Sequence, residues 1–364
     1  MNPAWYASYF VKILGFKAFR AMGFPGMMPS NVAYSVTNCC NSRCRTCNIW
    51  KKYQEKPALA KDELTTDEWI KTWKSVGKTD FVIFTGGEPF LRRDSLELLK
   101  GVYDFNHPSI MNICSNGLLP QRIGRDLEEF LKYIGKNVDL TLNMSIDGIG
   151  PDHDHVRGVN GNWKKLLETI KVAKKLRDKY GYPNIGLHTV VSKWNYSKVP
   201  QIYDYVVKNL MPDTYIMEPA ELRNELGTMS TDILPSRDKL AKVFRVYSSG
   251  KNVTKITKMI REIYIEKYIK GSGLPCYASF NHTQITANGN VWPCCILADE
   301  MKLGNVRDVG FDFRKVWFSE RANEVREKIK GRKIPECDGC YLAVVANTSI
   351  PQNMMLTAKH MLSR

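Results

Sequence analysis

Between Val32 and Met217, six short apolar runs alternate with longer amphipathic ones, and this alternation limits the fold more than any other feature of the chain. The runs Val32–Val36, Phe81–Phe84, Met111–Cys114, Asp139–Ile146, Asn184–Val191 and Asp213–Met217 have the length and residue types of buried strands. Thr66–Val76, Ser95–Tyr103, Leu127–Ile134, Trp163–Lys179 and Val199–Lys208 lie between them and read as helices. Asp67 and Glu68 stand in the first turn of the first helix, where they suit its dipole. Strands in such a series run parallel, and no GxGxxG opens it, which argues against a dinucleotide-binding sheet. The pattern predicts an α/β fold with a partial (β/α)6 barrel. In a parallel barrel, functional residues stand on the loops after the strands' C-terminal ends.

Those loops hold the chemistry. After the first strand come Cys40, Cys44 and Cys47, spaced C-x3-C-x2-C. Three thiolates this close can grip three irons of a cubane cluster and leave the fourth open to a ligand, whereas a fully ligated cluster mostly shuttles electrons. Cys39 lies outside the spacing and is expected to be a small buried side chain. After the second strand come Gly86, Gly87, Glu88 and Pro89. Glycine there allows positive φ and close approach to a ligand, and the carboxylate can receive a cation. Ser115 and Asn116 end the third strand, Ser145 and Asp147 the fourth, Arg157 follows in Asp154–Gly158, and Asn195 follows the fifth strand. Taken singly, each of these polar residues also suits a turn or a cap.

After Glu218 the pattern changes. Lys239–Ser248 and Lys255–Ile269 read as helices, and Thr283–Trp292 reads as a hairpin around Asn288-Gly289. A second cysteine set, Cys276, Cys294, Cys337 and Cys340, surrounds it, with Cys295 as an alternative to Cys294. Four cysteines ending in C-x2-C suit an iron–sulfur cluster or a structural zinc ion. Cys114, on the third strand, reads as a core residue.

The triplet followed by Gly86-Gly87-Glu88-Pro89 resembles the radical S-adenosylmethionine (SAM) superfamily. The second cysteine set resembles that family's C-terminal SPASM and twitch modules, the shorter twitch type more closely, because no cysteine follows Cys340. The resemblance implies that Cys40, Cys44 and Cys47 bind a [4Fe–4S] cluster and that Cys276, Cys294, Cys337 and Cys340 bind an auxiliary [4Fe–4S] cluster. It implies a SAM site made from Gly86, Gly87, Glu88, Pro89, Ser115, Asn116, Ser145, Asp147, Arg157 and Asn195, with Arg157 on the SAM carboxylate and Glu88 on its ammonium. Reductive cleavage of SAM would give a 5′-deoxyadenosyl radical that takes hydrogen from a substrate. The residue before the last cysteine is usually aromatic in this family and here is Thr46, which leaves the adenine contact unassigned. A reductant such as flavodoxin or ferredoxin is implied as partner.

Composition bears on the substrate. Lysine and arginine exceed aspartate and glutamate by 16 charges, which suits an anionic partner. The N-terminal stretch Trp5–Phe24 is aromatic, interrupted by Lys12, Lys17 and Arg20, and lacks the features of a signal peptide. It suits either an interfacial helix on an anionic membrane or a helix packed under the barrel. The tail Met354–Leu362 repeats its apolar–basic pattern in miniature. An anionic lipid or isoprenoid is therefore one expected substrate, with a peptide or protein side chain, or a small sugar or nucleoside, as alternatives. A non-catalytic zinc or nucleic-acid-binding protein is a distant one, and no nucleic-acid motif is present. The expected location is cytoplasmic, with a peripheral position at the inner membrane face under the lipid reading. The expected divisions are an N-terminal helix (1–29), the barrel (30–220), a helical linker (221–275), a cluster domain with a β-hairpin (276–345) and a tail (346–364).

Overall fold

The computed structural model describes residues 3–135, 138–248, 255–271, 273–337, 340, 342, 346, 349, 350, 352 and 353. The tail Met354–Leu362 lies outside the described residues. Six parallel strands, β1 (Asn31–Ser35), β2 (Phe81–Thr85), β3 (Ile110–Ser115), β4 (Asp139–Ser145), β5 (Asn184–Val191) and β6 (Thr214–Pro219), stand side by side in chain order. The sheet does not close on itself, so the barrel is partial.

Alternation along each strand separates two environments. Val32, Tyr34, Val82, Phe84, Met111, Ile113, Leu140, Leu142, Met144, Ile185 and Leu187 form the core under the helices. The alternate residues Ser35, Thr85, Asn112, Cys114, Asn143 and His188, together with Glu218, line the concave lumen, and the register sets Ser35 beside Thr85 and Cys114 beside Asn143. Cys114 therefore belongs to the lumen, not to the apolar core expected from its neighbours. The helix Thr66–Val76 starts at a capping box between Thr65 and Glu68. Its Trp69 and Trp73 stack at 5.4 Å and meet Tyr34 edge-on.

The hairpin forms where the sequence places it, with Gly289 at φ +84° between β7 (His282–Ile285) and β8 (Asn290–Trp292). It is not a detached unit. β7 pairs in parallel with β1, from Asn31 opposite His282 to Tyr34 opposite Ile285, and β8 continues to β9 (Gly304–Asn305) in one nine-stranded sheet. Arg307 clamps the far side through Glu68 at 3.1 Å and the Asp62 carbonyl at 2.7 Å.

The N-terminal helix α1 (Pro3–Met22) packs under the barrel. Phe16 and Phe19 are buried against Tyr277 and Phe280. Lys12 pairs with Asp80 at 2.6 Å, and Arg20 donates to the Cys276 carbonyl at 2.9 Å and lies over the Tyr277 ring. Two of the three cations that suited an anionic membrane are thus engaged within the protein. Phe10, Val11, Leu14, Met22 and Phe24 remain exposed. Among the described residues, no helix is long and apolar enough to cross a membrane.

Candidate functional site

The cysteine loop after β1 is held by backbone contacts that only glycine permits. Gly87 N–H donates to the Thr37 carbonyl at 2.7 Å, and Glu88 N–H donates to the Cys39 carbonyl at 2.8 Å. A Cβ on Gly86 would stand 2.3 Å from the Thr37 oxygen, and one on Gly87 2.2 Å from the Cys39 oxygen. Gly86 has φ +141°. The glycines thus serve a close approach to the chain's own backbone, and the positive φ expected of the pair is confined to Gly86. On the other side, Arg43 and Arg45 N–H groups donate to the Arg157 and Val156 carbonyls. Gly158, at φ +68°, lies against the Arg43 oxygen, where a Cβ would stand at 2.1 Å. Cys39 is exposed, contrary to the buried role expected for it, because its carbonyl is fixed inward on the glycine turn.

Around this loop the polar residues singled out by the sequence converge. Glu88 is fully buried, and its carboxylate accepts from Asn116 N–H at 2.7 Å, the Ser115 hydroxyl at 3.0 Å and Phe90 N–H at 3.3 Å. Burial pushes its pKa up to about 7 against the pull of those donors. Pro89 opens the short helical turn that follows it. The Asn116 amide reaches Asn41 at 2.6 Å and the Cys40 sulfur at 3.8 Å. Asp147 is buried between Val190 N–H, at 2.8 Å, and an Arg157 Nη, at 3.2 Å. Arg157 Nε is buried without a hydrogen-bond partner. Ser145 closes β4 beside them. Asn195 does not face this space: its amide donates to the Asp147 and Val190 carbonyls and accepts from Ser192 N–H. It holds the segment that carries Asp147.

His153 was not legible in the sequence. Its Nδ1 accepts from Asp147 N–H at 3.1 Å, and burial, reinforced by Arg157, lowers its pKa to about 4. The imidazole is therefore a neutral acceptor that fixes the Asp147 backbone.

The thiols fit a cluster. Burial pushes Cys40 and Cys47 up to about 12, each raised further by Cys44, and burial raises Cys44 against the pull of Arg157. Three thiolates this close call for a multivalent cation to offset their charge, which an iron–sulfur cluster would supply. The unpartnered Arg157 Nε and the Glu88 carboxylate fit the carboxylate and ammonium of an amino acid group.

The second set assembles beyond β7. Cys276, Cys294, Cys337 and Cys340 line one hollow, closed by Leu274, Ile334 and Leu342. Burial raises all four, Cys337 to about 12 and Cys340 to about 11. Cys295 does not line the hollow; the charges acting on it are those of Arg223, Glu225 and Cys340.

A loop of residues 220–236 joins the two regions. Asn48, next to Cys47, binds the Leu226 and Gly227 carbonyls, and Asn224 binds Glu300 on the auxiliary side. Thr228 is fully buried and ties the Glu221 carbonyl to Arg223 N–H. Sequence reasoning missed Glu221, Arg223 and Glu225, because charged residues after a strand read as solvated loop.

The comparisons agree with this architecture. The model of the radical SAM superfamily matches residues 34–206, and that of an iron–sulfur cluster-binding domain, SPASM, matches residues 276–341. The chain belongs to the radical SAM superfamily and carries a C-terminal SPASM domain. Members of that superfamily are enzymes, and the two domains imply SAM and [4Fe–4S] clusters as cofactors. It is 27% identical to pre-heme d1 synthase of Dinoroseobacter shibae over 47% of this chain and 39% of that protein. It is 31% identical to the sporulation killing factor maturation protein SkfB of Bacillus subtilis over 40% of this chain and 32% of that protein. The chain thus spans well under half of either relative. The crystal structure of Streptococcus suis SuiB bound to precursor peptide SuiA shares the fold, with a TM-score of 0.57 and 15% identity over 90% of this chain and 72% of that one.

Proposed function

We propose that Cys40, Cys44 and Cys47 hold the cluster of the SAM site, that Cys276, Cys294, Cys337 and Cys340 hold the auxiliary cluster, and that the enzyme removes hydrogen from a polar substrate in the barrel lumen. When bound, the first cluster supplies the electron that splits SAM into methionine and a 5′-deoxyadenosyl radical. The chain's own residues place SAM for that event. Arg157 presents Nε to the SAM carboxylate while Asp147 holds the other side of its guanidinium. Glu88 receives the ammonium, with Gly86, Gly87 and Pro89 shaping the turn that carries it. Ser115 and Asn116 fix Glu88 and border the ribose side, Ser145 closes the strand beside them, and Asn195 and His153 act through Asp147. A flavodoxin or ferredoxin is the partner this reading calls for, and no nucleic acid takes part. The barrel at 30–220, the linker at 221–275 and the cluster domain at 276–345 divide these tasks.

An anionic lipid is not the substrate the structure favours. Lys12 and Arg20, two of the cations that make the N-terminus basic, are engaged by Asp80 and the Cys276 carbonyl. The lumen, lined by Ser35, Thr85, Asn112, Asn143, His188 and Glu218, suits a hydrogen-bonding guest. A peptide side chain is favoured by a relative named as a maturation protein and a related fold solved with a precursor peptide. The observation that carries the proposal is the convergence of three neighbouring thiols, Cys44 buried and Cys40 and Cys47 half-buried, with an unpartnered arginine nitrogen and the buried Glu88. The test is the Cys40→Ala, Cys44→Ala, Cys47→Ala variant, reconstituted without oxygen. It should hold about half the iron of the wild type and release no 5′-deoxyadenosine with dithionite and SAM. SAM cleavage at the wild-type rate in that variant would overturn the reading.

A further inference from the structure

The 220–236 loop carries Glu221, Arg223 and Glu225 toward the space between the two cysteine sets. Glu221 and Glu225 are 7% and 8% exposed. Arg223 is ion-paired with Glu221 and lies 3.6 Å from Glu225, and it feels Cys295 on one side and Cys47 on the other. On the adjoining strands, His188 Nε2 lies 3.4 Å from Glu218. These contacts leave buried atoms unmatched. Glu221 Oε1, Arg223 Nε and Asn143 Oδ1 have no hydrogen-bond partner, and Glu225 Oε2 and His188 Nε2 have only the long ion-pair contacts just given. Buried polar atoms are seldom left without a partner, so several on the charged groups of one place suit a hydrogen-bonding guest.

The character of those atoms describes the guest. Three of the five are acceptor oxygens. Three carboxylates, Glu218, Glu221 and Glu225, face one guanidinium and one imidazole. The further charges acting on Glu225, Lys52 and Asp299, have opposite signs and offset one another. The lumen is therefore rich in carboxylate although the whole chain carries a formal +16. A nucleoside triphosphate or an anionic lipid head group would set negative charge against these carboxylates. A group with positive charge and several N–H donors would satisfy them, and charge-assisted bonds of that kind are among the stronger ones.

We propose that the lumen grips its substrate through an amine-type cation, a primary ammonium or a guanidinium, held by Glu221, Glu225 and Glu218. This rests on the proposed radical SAM activity and adds the substrate's chemical class to it. A basic peptide side chain and an aminosugar share that chemistry, and matched probes separate them.

The experiment measures equilibrium binding to the anaerobic holoenzyme with SAM present and no reductant. Nα-acetyl-lysine amide is compared with Nα-acetyl-norleucine amide, glucosamine with glucose, and GTP serves as the anionic probe. In at least one pair, the amine-bearing member should bind about tenfold or more tightly than its neutral twin, and GTP should bind more weakly than that member. The lysine pair responding indicates a peptide, the glucosamine pair an aminosugar. Glu221→Gln combined with Glu225→Gln should abolish the advantage, with iron content and SAM affinity checked on the same sample. If the double variant loses iron, Glu221→Gln alone should reduce the advantage at least threefold or so. A neutral twin or GTP bound as tightly, no probe bound, or an advantage that survives both variants overturns the proposal. 5′-Deoxyadenosine release by the reduced wild type is measured in parallel. Its absence defeats the catalytic reading, whereas its presence without amine preference defeats only this inference.

Discussion

At the scale of single residues, the site depends on atoms that cannot be enlarged or shortened. Gly87 is the sharpest case, because the Cys39 carbonyl would stand 2.2 Å from any Cβ. Gly87→Ala must therefore displace the cysteine loop. We expect a loss of about 1–3 kcal/mol and a drop in iron at the SAM site, read by thermal unfolding and iron analysis. Full iron content in that variant would show that the contact is dispensable. Arg157→Lys keeps the charge but loses the planar fork. SAM affinity should fall about tenfold by titration calorimetry while both clusters remain, and unchanged affinity would remove Arg157 from the SAM site. The cysteine triplet and the glycine turn were legible because their chemistry lies in local spacing. The exposure of Cys39 and the lumen position of Cys114 were not, since each depends on a backbone contact or strand register set by distant segments.

At the scale of elements, α1 is the clearest division between readings. Its composition allowed a membrane helix or a packed one, and sequence alone could not show Phe16 and Phe19 meeting Tyr277 and Phe280 more than 250 residues away. Phe16→Ala should cost about 3–5 kcal/mol, measured by urea unfolding, because the ring is 1% exposed. A loss below about 1 kcal/mol would mean that the helix is only loosely docked. The same packing predicts that the intact enzyme does not co-sediment with anionic liposomes at moderate salt. Salt-sensitive co-sedimentation would restore the membrane reading through the exposed Phe10, Val11 and Leu14. The strands and their order were read nearly to the residue, since buried parallel strands are short and apolar. The 220–236 loop was unreadable because its charges are buried by tertiary contacts alone.

For the whole molecule, stability should depend on pH in a definite direction. Burial lowers His153 and His282 to about 4, against about 6.5 in an unfolded chain. Between those values the unfolded state binds more protons, so stability is complete above pH 6.5 and falls as the pH drops toward 4. From pH 7 to 5 the expected loss is about 2 kcal/mol per histidine. His282→Asn should lose correspondingly less over that interval in anaerobic urea titrations, and an equal slope would show that His282 is not held neutral. Removing the second cysteine set tests the other half of the molecule: Cys337→Ala with Cys340→Ala should still release 5′-deoxyadenosine but lose turnover of substrate. The parallel pairing of β7 with β1 has a further consequence, for modularity. The boundary near residue 276 is one of sequence, and backbone hydrogen bonds run straight across it. A barrel cut free at that point would bare the flank of β1 from Asn31 to Tyr34, an unpaired ribbon open to self-association. Such a module cannot be exchanged between relatives as an interchangeable cassette unless the donor brings its own strand to the seam.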